Sequence, residues 1–212
     1  FDGIREALQN NKPKLLFICN PNNPTGTKLD PDKILELAHL SPETLIVIDE
    51  LYEAFTNISV LPKLRLDETH NLIILRSLSK TAGLAGLRIG FAIAQSNIIN
   101  TINRVTGPYD INSFAVTASL AALKDQQYID DYVTEVLAAK EWIQAKLIKK
   151  QIRHHMDGGN YFLLWPKLEA SKVEQLLKES GILVRNMKGK PLIAGSLRVS
   201  VGTTNQMNEF WQ

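Results

Sequence analysis

The chain has 212 residues, 44% of them hydrophobic, so it is long enough to bury a core in one large domain or two small ones. Its 24 lysines and arginines nearly balance 22 acidic residues, and no basic run predicts a groove for nucleic acid. No apolar run approaches the roughly 20 residues of a membrane helix. The single cysteine, Cys19, cannot form an internal disulfide, which is typical of a reducing compartment. We therefore expect a cytoplasmic protein without a nucleic-acid or membrane partner.

Three short apolar runs predict the strands of a parallel sheet. They are KLLFIC (14–19), TLIVID (44–49) and NLIILR (71–76), and their continuous apolar character is typical of strands covered on both faces. Between the first two runs, Asp30 is placed to cap a helix whose first position is Pro31. A fourth run, LRIGFAIA (87–94), follows too closely for a helical crossover, so we expect it to pair antiparallel.

The remainder of the chain predicts helices followed by a small α+β part. Helical patterns begin near Ser96 and Asn112 and continue in a long segment over 127–150. GGNYFLLWP, GILVRNM and GSLRVSVG then predict strands, with a helix in SKVEQLLKES that ends at Gly181. The predicted fold is α/β: a partial three-layer αβα large domain, residues 1–130, with a mainly parallel sheet and an antiparallel strand, plus a small C-terminal α+β domain, residues 131–212.

Polar side chains follow each of the three parallel strands. Ligands of open parallel sheets bind beyond the carboxyl ends of the strands, so we expect these side chains to converge. Taken singly, each has an ordinary structural role as a turn residue, a helix cap, a core aromatic or a solvated charge. Their occurrence at three strand ends favours a ligand site. The residues are Asn23 after the first strand, Asp49 and Tyr52 after the second, and Ser77, Ser79 and Lys80 after the third.

Other motifs in the chain do not predict a function. Ser77-Leu-Ser-Lys80 matches the S-x-x-K pattern of penicillin-binding enzymes, but the S-D-N and K-T-G companions are missing. The glycines at 83, 86 and 90 lack the G-x-G-x-x-G spacing of a dinucleotide site. No metal is predicted, because the four histidines have no metal-ligand spacing.

The strand-end residues match the chemical groups of pyridoxal 5′-phosphate, which we therefore expect as the cofactor. This cofactor has an aldehyde that reacts with an amine, a pyridine nitrogen, a phenolate oxygen and a phosphate dianion. Lys80 matches the aldehyde and Asp49 the pyridine nitrogen. Tyr52 and Asn23 match the phenolate oxygen, and Ser77, Ser79 and Arg88 match the phosphate.

Five segments in this order, NPNNPTG, DELYEAF, SLSKTAGLAGLRIG, GGNYFLL and LRVSVGT, resemble the fold-type I pyridoxal-phosphate aminotransferases of class I/II, most closely the histidinol-phosphate aminotransferases. The resemblance implies that Lys80 bonds covalently to the cofactor and then moves the substrate proton, with Asp49 and Tyr52 as its catalytic neighbours. It also implies a cis peptide bond between Asn23 and Pro24, and a homodimer.

The same resemblance implies a substrate site. Arg198 matches the arginine that binds the substrate α-carboxylate, Arg185 one near the substrate phosphate, and Asn160 a position near the amino-acid moiety. The expected partners are a small-molecule amino donor and a 2-oxo acid, and the expected reaction is transamination of histidinol phosphate with 2-oxoglutarate, in histidine biosynthesis. Threonine-phosphate decarboxylation and aromatic transamination remain alternatives. A non-catalytic fragment is a third, because the segment that precedes NPNNPTG in this family has no counterpart here.

Overall fold

The structure, a computed structural model, describes residues 1–212. The chain forms two compact units. The first consists of Phe1–Pro21 with Lys28–Asp130, and the second of Asn22–Thr27 with Asp131–Gln212. We propose that these units correspond to the predicted domains 1–130 and 131–212, with the six-residue segment Asn22–Thr27 belonging to the second.

The first unit contains a four-stranded sheet in the order β1-β2-β3-β4. β1, β2 and β3 run parallel, and β4 pairs antiparallel with β3, which confirms the predicted α/β fold with a mainly parallel sheet and an antiparallel strand. The elements are α1 (Asp2–Asn11), β1 (Leu15–Cys19), α2 (Pro31–Leu40), β2 (Leu45–Asp49), β3 (Leu72–Ser77), β4 (Gly90–Ile93), α3 (Ser96–Asn103) and α4 (Ser113–Lys124).

One face of this sheet packs on the first two helices. Ile46, Ile48 and Ile74 of the sheet are fully buried in one cluster with apolar side chains of α1 and α2. The start of α2 is fixed as predicted: the Asp30 carboxylate accepts a hydrogen bond of 2.8 Å from the Asp32 backbone N–H, and Pro31 is the first helical residue. This packing fixes the sheet whose strand ends carry the polar residues.

The first strand differs from the prediction that it is covered on both faces. Alternate side chains of β1 are exposed, and Phe17 keeps 64% of its surface in contact with solvent. The exposed residues Leu15, Phe17 and Cys19 all point to one face, so this face of β1, at the end of the strand order, is left uncovered by packing. β2, with a neighbour on each side, has three consecutive buried residues, Ile46, Val47 and Ile48.

The second unit contains a four-stranded sheet in the order β5-β6-β8-β7, with all neighbours antiparallel. β5 was not predicted, because Arg-His-His has no apolar run and becomes a strand only by pairing with β6. The helix before β7 ends as predicted, with Gly181 at φ +80°. The elements are β5 (Arg153–His155), β6 (Tyr161–Trp165), α6 (Ala170–Glu179), β7 (Arg185–Asn186), β8 (Leu197–Ser200) and α7 (Thr204–Trp211). The long helix α5 (Gln126–Lys149) precedes them and begins in the first unit.

Candidate active site

A cavity of about 580 Å³ lies at the end of β3 in the first unit. Four of the predicted site residues line it: Ser77, Ser79, Lys80 and Arg88. Lys80 and Arg88 supply positive charge to its lining, which contains no carboxylate; Arg76 also lines it, but its charge is paired with Glu50 and Glu53. The cavity is therefore electropositive and suited to an anionic ligand.

The amine of Lys80 lies against the ring of Tyr52. Lys80 Nζ is 5.4 Å from the ring centroid, within the range of a cation–π contact. Tyr52 is buried and follows β2 in the turn before a short 3₁₀ helix, Glu53–Phe55. The two residues come from separate strand ends, so the convergence of these ends expected from the sequence is observed for this pair.

The hydroxyls of Ser77 and Ser79 form one hydrogen-bonded pair at the entrance to the loop after β3. Ser77 Oγ donates to Ser79 Oγ at 2.8 Å, and the Ser79 backbone N–H donates to Ser77 Oγ at 3.0 Å. Arg88 has the left-handed conformation, φ 56°, which residues other than glycine rarely adopt and which clusters at functional sites. Its guanidinium is exposed and donates to the Ala85 carbonyl at 3.2 Å. The Ser79 hydroxyl and the Arg88 guanidinium are thus available to an anion in the cavity, and the Ser77 hydroxyl could donate to it only after turning away from Ser79.

Asp49 ends β2 and has two hydrogen-bond partners. Its Oδ1 accepts from the Leu51 backbone N–H at 3.1 Å, and its Oδ2 accepts from the Cys19 thiol at 3.8 Å. Although Cys19 is largely exposed, partial burial raises the pKa of its thiol, and the Asp49 carboxylate raises it further by charge repulsion and by accepting a hydrogen bond from the thiol. Cys19 was not predicted to take part in the site, since a single cysteine at a strand end carries no distinctive signal.

A buried ion pair stabilises the region where β2 and β3 end. The Glu50 carboxylate is completely buried and accepts from Arg76 Nε at 3.0 Å and from the Val60 backbone N–H at 2.7 Å. Arg76 also pairs with Glu53. Burial raises the pKa of Glu53, nearby Glu50 raises it further, and the Arg76 guanidinium opposes both effects. These contacts join the loop that carries Tyr52 to the strand that ends at Ser77, and the sequence pattern did not identify them.

Asn23 and Asn160 lie in the second unit. The Asn23–Pro24 peptide bond is cis, which confirms the expectation from the resemblance, and Asn20–Pro21 is cis as well. Asn160 lies just before β6, where its carbonyl accepts a 2.7 Å hydrogen bond from the Val201 backbone N–H.

Arg185 and Arg198 are directly opposite each other on the antiparallel strands β7 and β8. The Arg198 guanidinium lies 4.2 Å from the centroid of the Tyr161 ring, and its Nε is buried without a hydrogen-bond partner. Arg185 is exposed. Like charges directly opposite on neighbouring strands are destabilising, and an unpaired buried donor adds to that penalty. An anion bound near these two arginines would offset the repulsion between them.

The chain has no cluster of three or more histidine, cysteine, aspartate or glutamate side chains arranged to hold a metal ion. None of its helices combines the length and the apolar composition needed to cross a membrane.

Comparison with known proteins identifies the family. The sequence profile described as aminotransferase class I and II matches residues 1–212. The chain belongs to this family. Histidinol-phosphate aminotransferase 1 of Carboxydothermus hydrogenoformans is 34% identical over 209 residues, which cover 99% of the chain and 58% of that relative. The chain thus spans less than two thirds of the length of this relative.

Two solved structures share the fold of this chain. Histidinol-phosphate aminotransferase from Sinorhizobium meliloti, in complex with pyridoxal-5′-phosphate, superposes with a TM-score of 0.86 at 23% identity, covering 98% of this chain and 58% of that one. L-Threonine-O-3-phosphate decarboxylase from Porphyromonas gingivalis superposes with a TM-score of 0.77 at 26% identity, covering 93% and 62%. The fold is therefore shared by proteins named for two different reactions.

Proposed function

We propose that the protein is a pyridoxal-phosphate-dependent aminotransferase. It would exchange an amino group between histidinol phosphate, or a similar amino acid or amino alcohol phosphate, and a 2-oxo acid such as 2-oxoglutarate. Membership of the class I and II family supports the reaction class. The observation that carries the proposal is the cavity in which Lys80, a hydroxyl pair and Arg88 surround one electropositive space.

The residues of this cavity fit pyridoxal phosphate. Its volume of about 580 Å³ is in the usual range for a small-ligand site. A phosphate dianion needs hydroxyl and guanidinium donors without a competing carboxylate, and the lining has that composition, with Ser77, Ser79 and Arg88 as the donors. Lys80 supplies the amine at the same cavity, and the Tyr52 ring restricts its position. We assign Asp49 to the ring nitrogen and the Tyr52 hydroxyl to the ring oxygen.

When bound, pyridoxal phosphate supplies an electrophilic carbonyl for amines and a ring that accepts electrons. Lys80 Nζ would accept the proton that leaves the substrate α-carbon and later return it, acting as general base and then as general acid. The negative charge of the Asp49 carboxylate would stabilise a positive charge on the pyridine nitrogen. Ser77, Ser79 and Arg88 hold the phosphate end in place while Lys80 moves the proton.

For the second unit we propose substrate-binding roles. Arg198 would bind the α-carboxylate of glutamate or 2-oxoglutarate, and Arg185 the phosphate of histidinol phosphate, which has no carboxylate. Asn160 would bind the amino-acid moiety, while Asn23 would donate to the ring oxygen of the cofactor. The pairing of Arg185 with Arg198 across the two strands supports an anionic ligand, since an anion would offset their repulsion and offer the buried Arg198 Nε an acceptor.

The role of Lys80 is tested by reducing the protein with borohydride in the presence of pyridoxal phosphate and locating the added mass by peptide mapping. We expect the adduct on Lys80, and its loss in Lys80→Ala. Lys124→Ala removes an exposed lysine of the first unit and should leave the adduct unchanged. Arg88→Met should weaken cofactor binding about 10- to 100-fold, because a charge-assisted contact to the phosphate is lost. An adduct that persists in Lys80→Ala would reject the assignment.

The substrate is tested by offering histidinol phosphate, threonine phosphate and aromatic amino acids, each with 2-oxoglutarate. Transamination predicts one glutamate for each ketone formed. Release of carbon dioxide from threonine phosphate would instead favour the decarboxylase reaction, which the similarity to a decarboxylase structure keeps as the second candidate. No turnover of any donor would favour a non-catalytic fragment.

A homodimer and a cytoplasmic location are also proposed, and sedimentation velocity tests the dimer.

A further inference from the structure

Lys140, on helix α5 in the second unit, is a buried lysine that the proposed reaction does not use. Only 9% of its surface is exposed. Its ammonium donates to the carbonyl oxygen of Gly159 at 2.8 Å and to that of Asp157. Lysines are rarely buried unless their charge is paired or hydrogen-bonded, so this arrangement is a specific one. The ammonium is anchored in the loop that connects β5 to β6.

This loop is joined to the segment Asn22–Thr27, which lies in the same unit. The Gly158 backbone N–H donates to the Gly26 carbonyl at 2.8 Å. The Tyr161 hydroxyl donates to the Asn22 carbonyl, also at 2.8 Å. One hydrogen bond before Asn160 and one after it therefore connect the loop held by Lys140 to the segment that carries Asn23.

The same loop also leads to the proposed carboxylate ligand. Tyr161, at the end of the loop, presents its ring to the Arg198 guanidinium at 4.2 Å. The Asn160 carbonyl accepts a hydrogen bond from Val201, three residues beyond Arg198 on the chain. A movement of the loop would thus change the position of both Asn160 and Arg198.

We propose that Lys140 is a positioning residue for substrate binding. Its ammonium holds the carbonyls of Asp157 and Gly159, and through this loop it sets the positions of Asn160, Tyr161 and Arg198. The inference rests on the proposed function, because that function gives Asn160 and Arg198 their substrate roles. Methionine at this position would fill a similar volume but would leave both carbonyls without the ammonium donor. Arginine would keep a cationic donor.

The test compares Lys140→Met with Lys140→Arg, and with Lys149→Met as a matched control on an exposed lysine of the same helix. Binding of succinate, a dicarboxylate that cannot react, is measured by calorimetry. Lys140→Met should raise the dissociation constant about 10- to 100-fold, because a charged hydrogen-bond donor that orders the loop is lost. Lys140→Arg should recover most of the affinity, and Lys149→Met should match the wild type. Pyridoxal phosphate affinity should change less than succinate affinity in Lys140→Met, because only one proposed cofactor contact, Asn23, lies on the segment joined to this loop.

A second measurement follows the loop without any ligand. Exchange of the Gly158 amide with deuterium, followed by NMR, should be about tenfold or more faster in Lys140→Met, and unchanged in Lys149→Met. Faster exchange with unchanged succinate affinity would overturn the positioning role and leave only a structural one. Equal exchange in all proteins would overturn the anchoring itself. If Lys140→Met does not fold, Lys140→Arg provides the test. A Lys140→Arg protein whose Gly158 amide exchanges at the wild-type rate but whose succinate binding is weakened contradicts the proposal. A wild-type protein that binds pyridoxal phosphate but no succinate contradicts the substrate roles assigned under the proposed function, and the inference with them.

Discussion

Replacing Gly26 by alanine tests the close approach of two backbone segments in the second unit. An alanine Cβ at this position would lie 2.6 Å from the Gly158 carbonyl oxygen and 3.1 Å from its nitrogen, both backbone atoms that cannot turn away. Gly26 also has φ +78°, which disfavours any side chain. The substitution should therefore displace Gly158 and break the 2.8 Å hydrogen bond from its N–H to the Gly26 carbonyl.

The expected loss of stability has two parts. The left-handed conformation of an alanine costs about 1–2 kcal/mol. The lost backbone hydrogen bond leaves buried groups unpaired, at about 1–3 kcal/mol more. Gly195→Ala is a matched control, because Gly195 has φ +80° and nothing lies within 4 Å of its Cβ position. Gly26→Ala should thus be about 1–3 kcal/mol less stable than Gly195→Ala.

Denaturant unfolding followed by tryptophan emission measures this difference. All three tryptophans of the chain, Trp142, Trp165 and Trp211, lie in the second unit, so the signal reports on the part that contains both substitutions. The free energy of unfolding of each variant is compared with that of the wild type. Equal destabilisation by Gly26→Ala and Gly195→Ala would refute the reasoning, because it would mean that the contact with Gly158 contributes nothing beyond the backbone strain.

Two further predictions concern the first unit. Arg76→Met leaves the buried Glu50 carboxylate without its cation and should lower the free energy of unfolding by about 3 kcal/mol, measured by circular dichroism. Lys63→Met, which breaks an exposed pair, should cause no measurable change, and equal effects would contradict the argument. The pKa of the Cys19 thiol in the folded chain is raised above its ordinary value of 9.0, so the folded chain keeps the thiol proton above pH 9.0. The stability that this provides is present below pH 9.0 and is lost as the pH rises through the folded pKa. Iodoacetamide should therefore label the folded protein with a midpoint above pH 9.0, and Asp49→Asn should lower the midpoint; an unchanged midpoint would exclude Asp49 as a cause.

Much of the first sheet could be predicted from short windows of sequence. A continuous apolar run indicates a strand wherever it occurs, and the short connection after Ser77 leaves no room for a crossover helix, so the antiparallel β4 was predictable. The cap at Asp30 is local as well. Burial of β1 was not predictable, because it depends on which tertiary elements cover each face of the strand.

The candidate site also contains residues that the sequence could identify and contacts that it could not. Ser77, Ser79 and Lys80 could be found because they follow one strand, and the structure brings Arg88 to the same cavity. The contacts of Cys19 with Asp49 and of Arg76 with Glu50 join residues 30 and 26 positions apart, and no window of sequence contains them. Their partners are chosen by the register of the strands.

By itself the sequence determined most of the strands and helices, β5 excepted, and which polar groups stand at the ends of the parallel strands, because these depend on the chemistry of adjacent residues. Only the tertiary structure decided that Asn22–Thr27 joins the second unit and that Lys140 is buried against carbonyls 17 and 19 residues further along the chain. A lysine on a helix has no local feature that distinguishes a solvated charge from an anchor. The difference arises from which backbone carbonyls the packing brings within reach of its ammonium group.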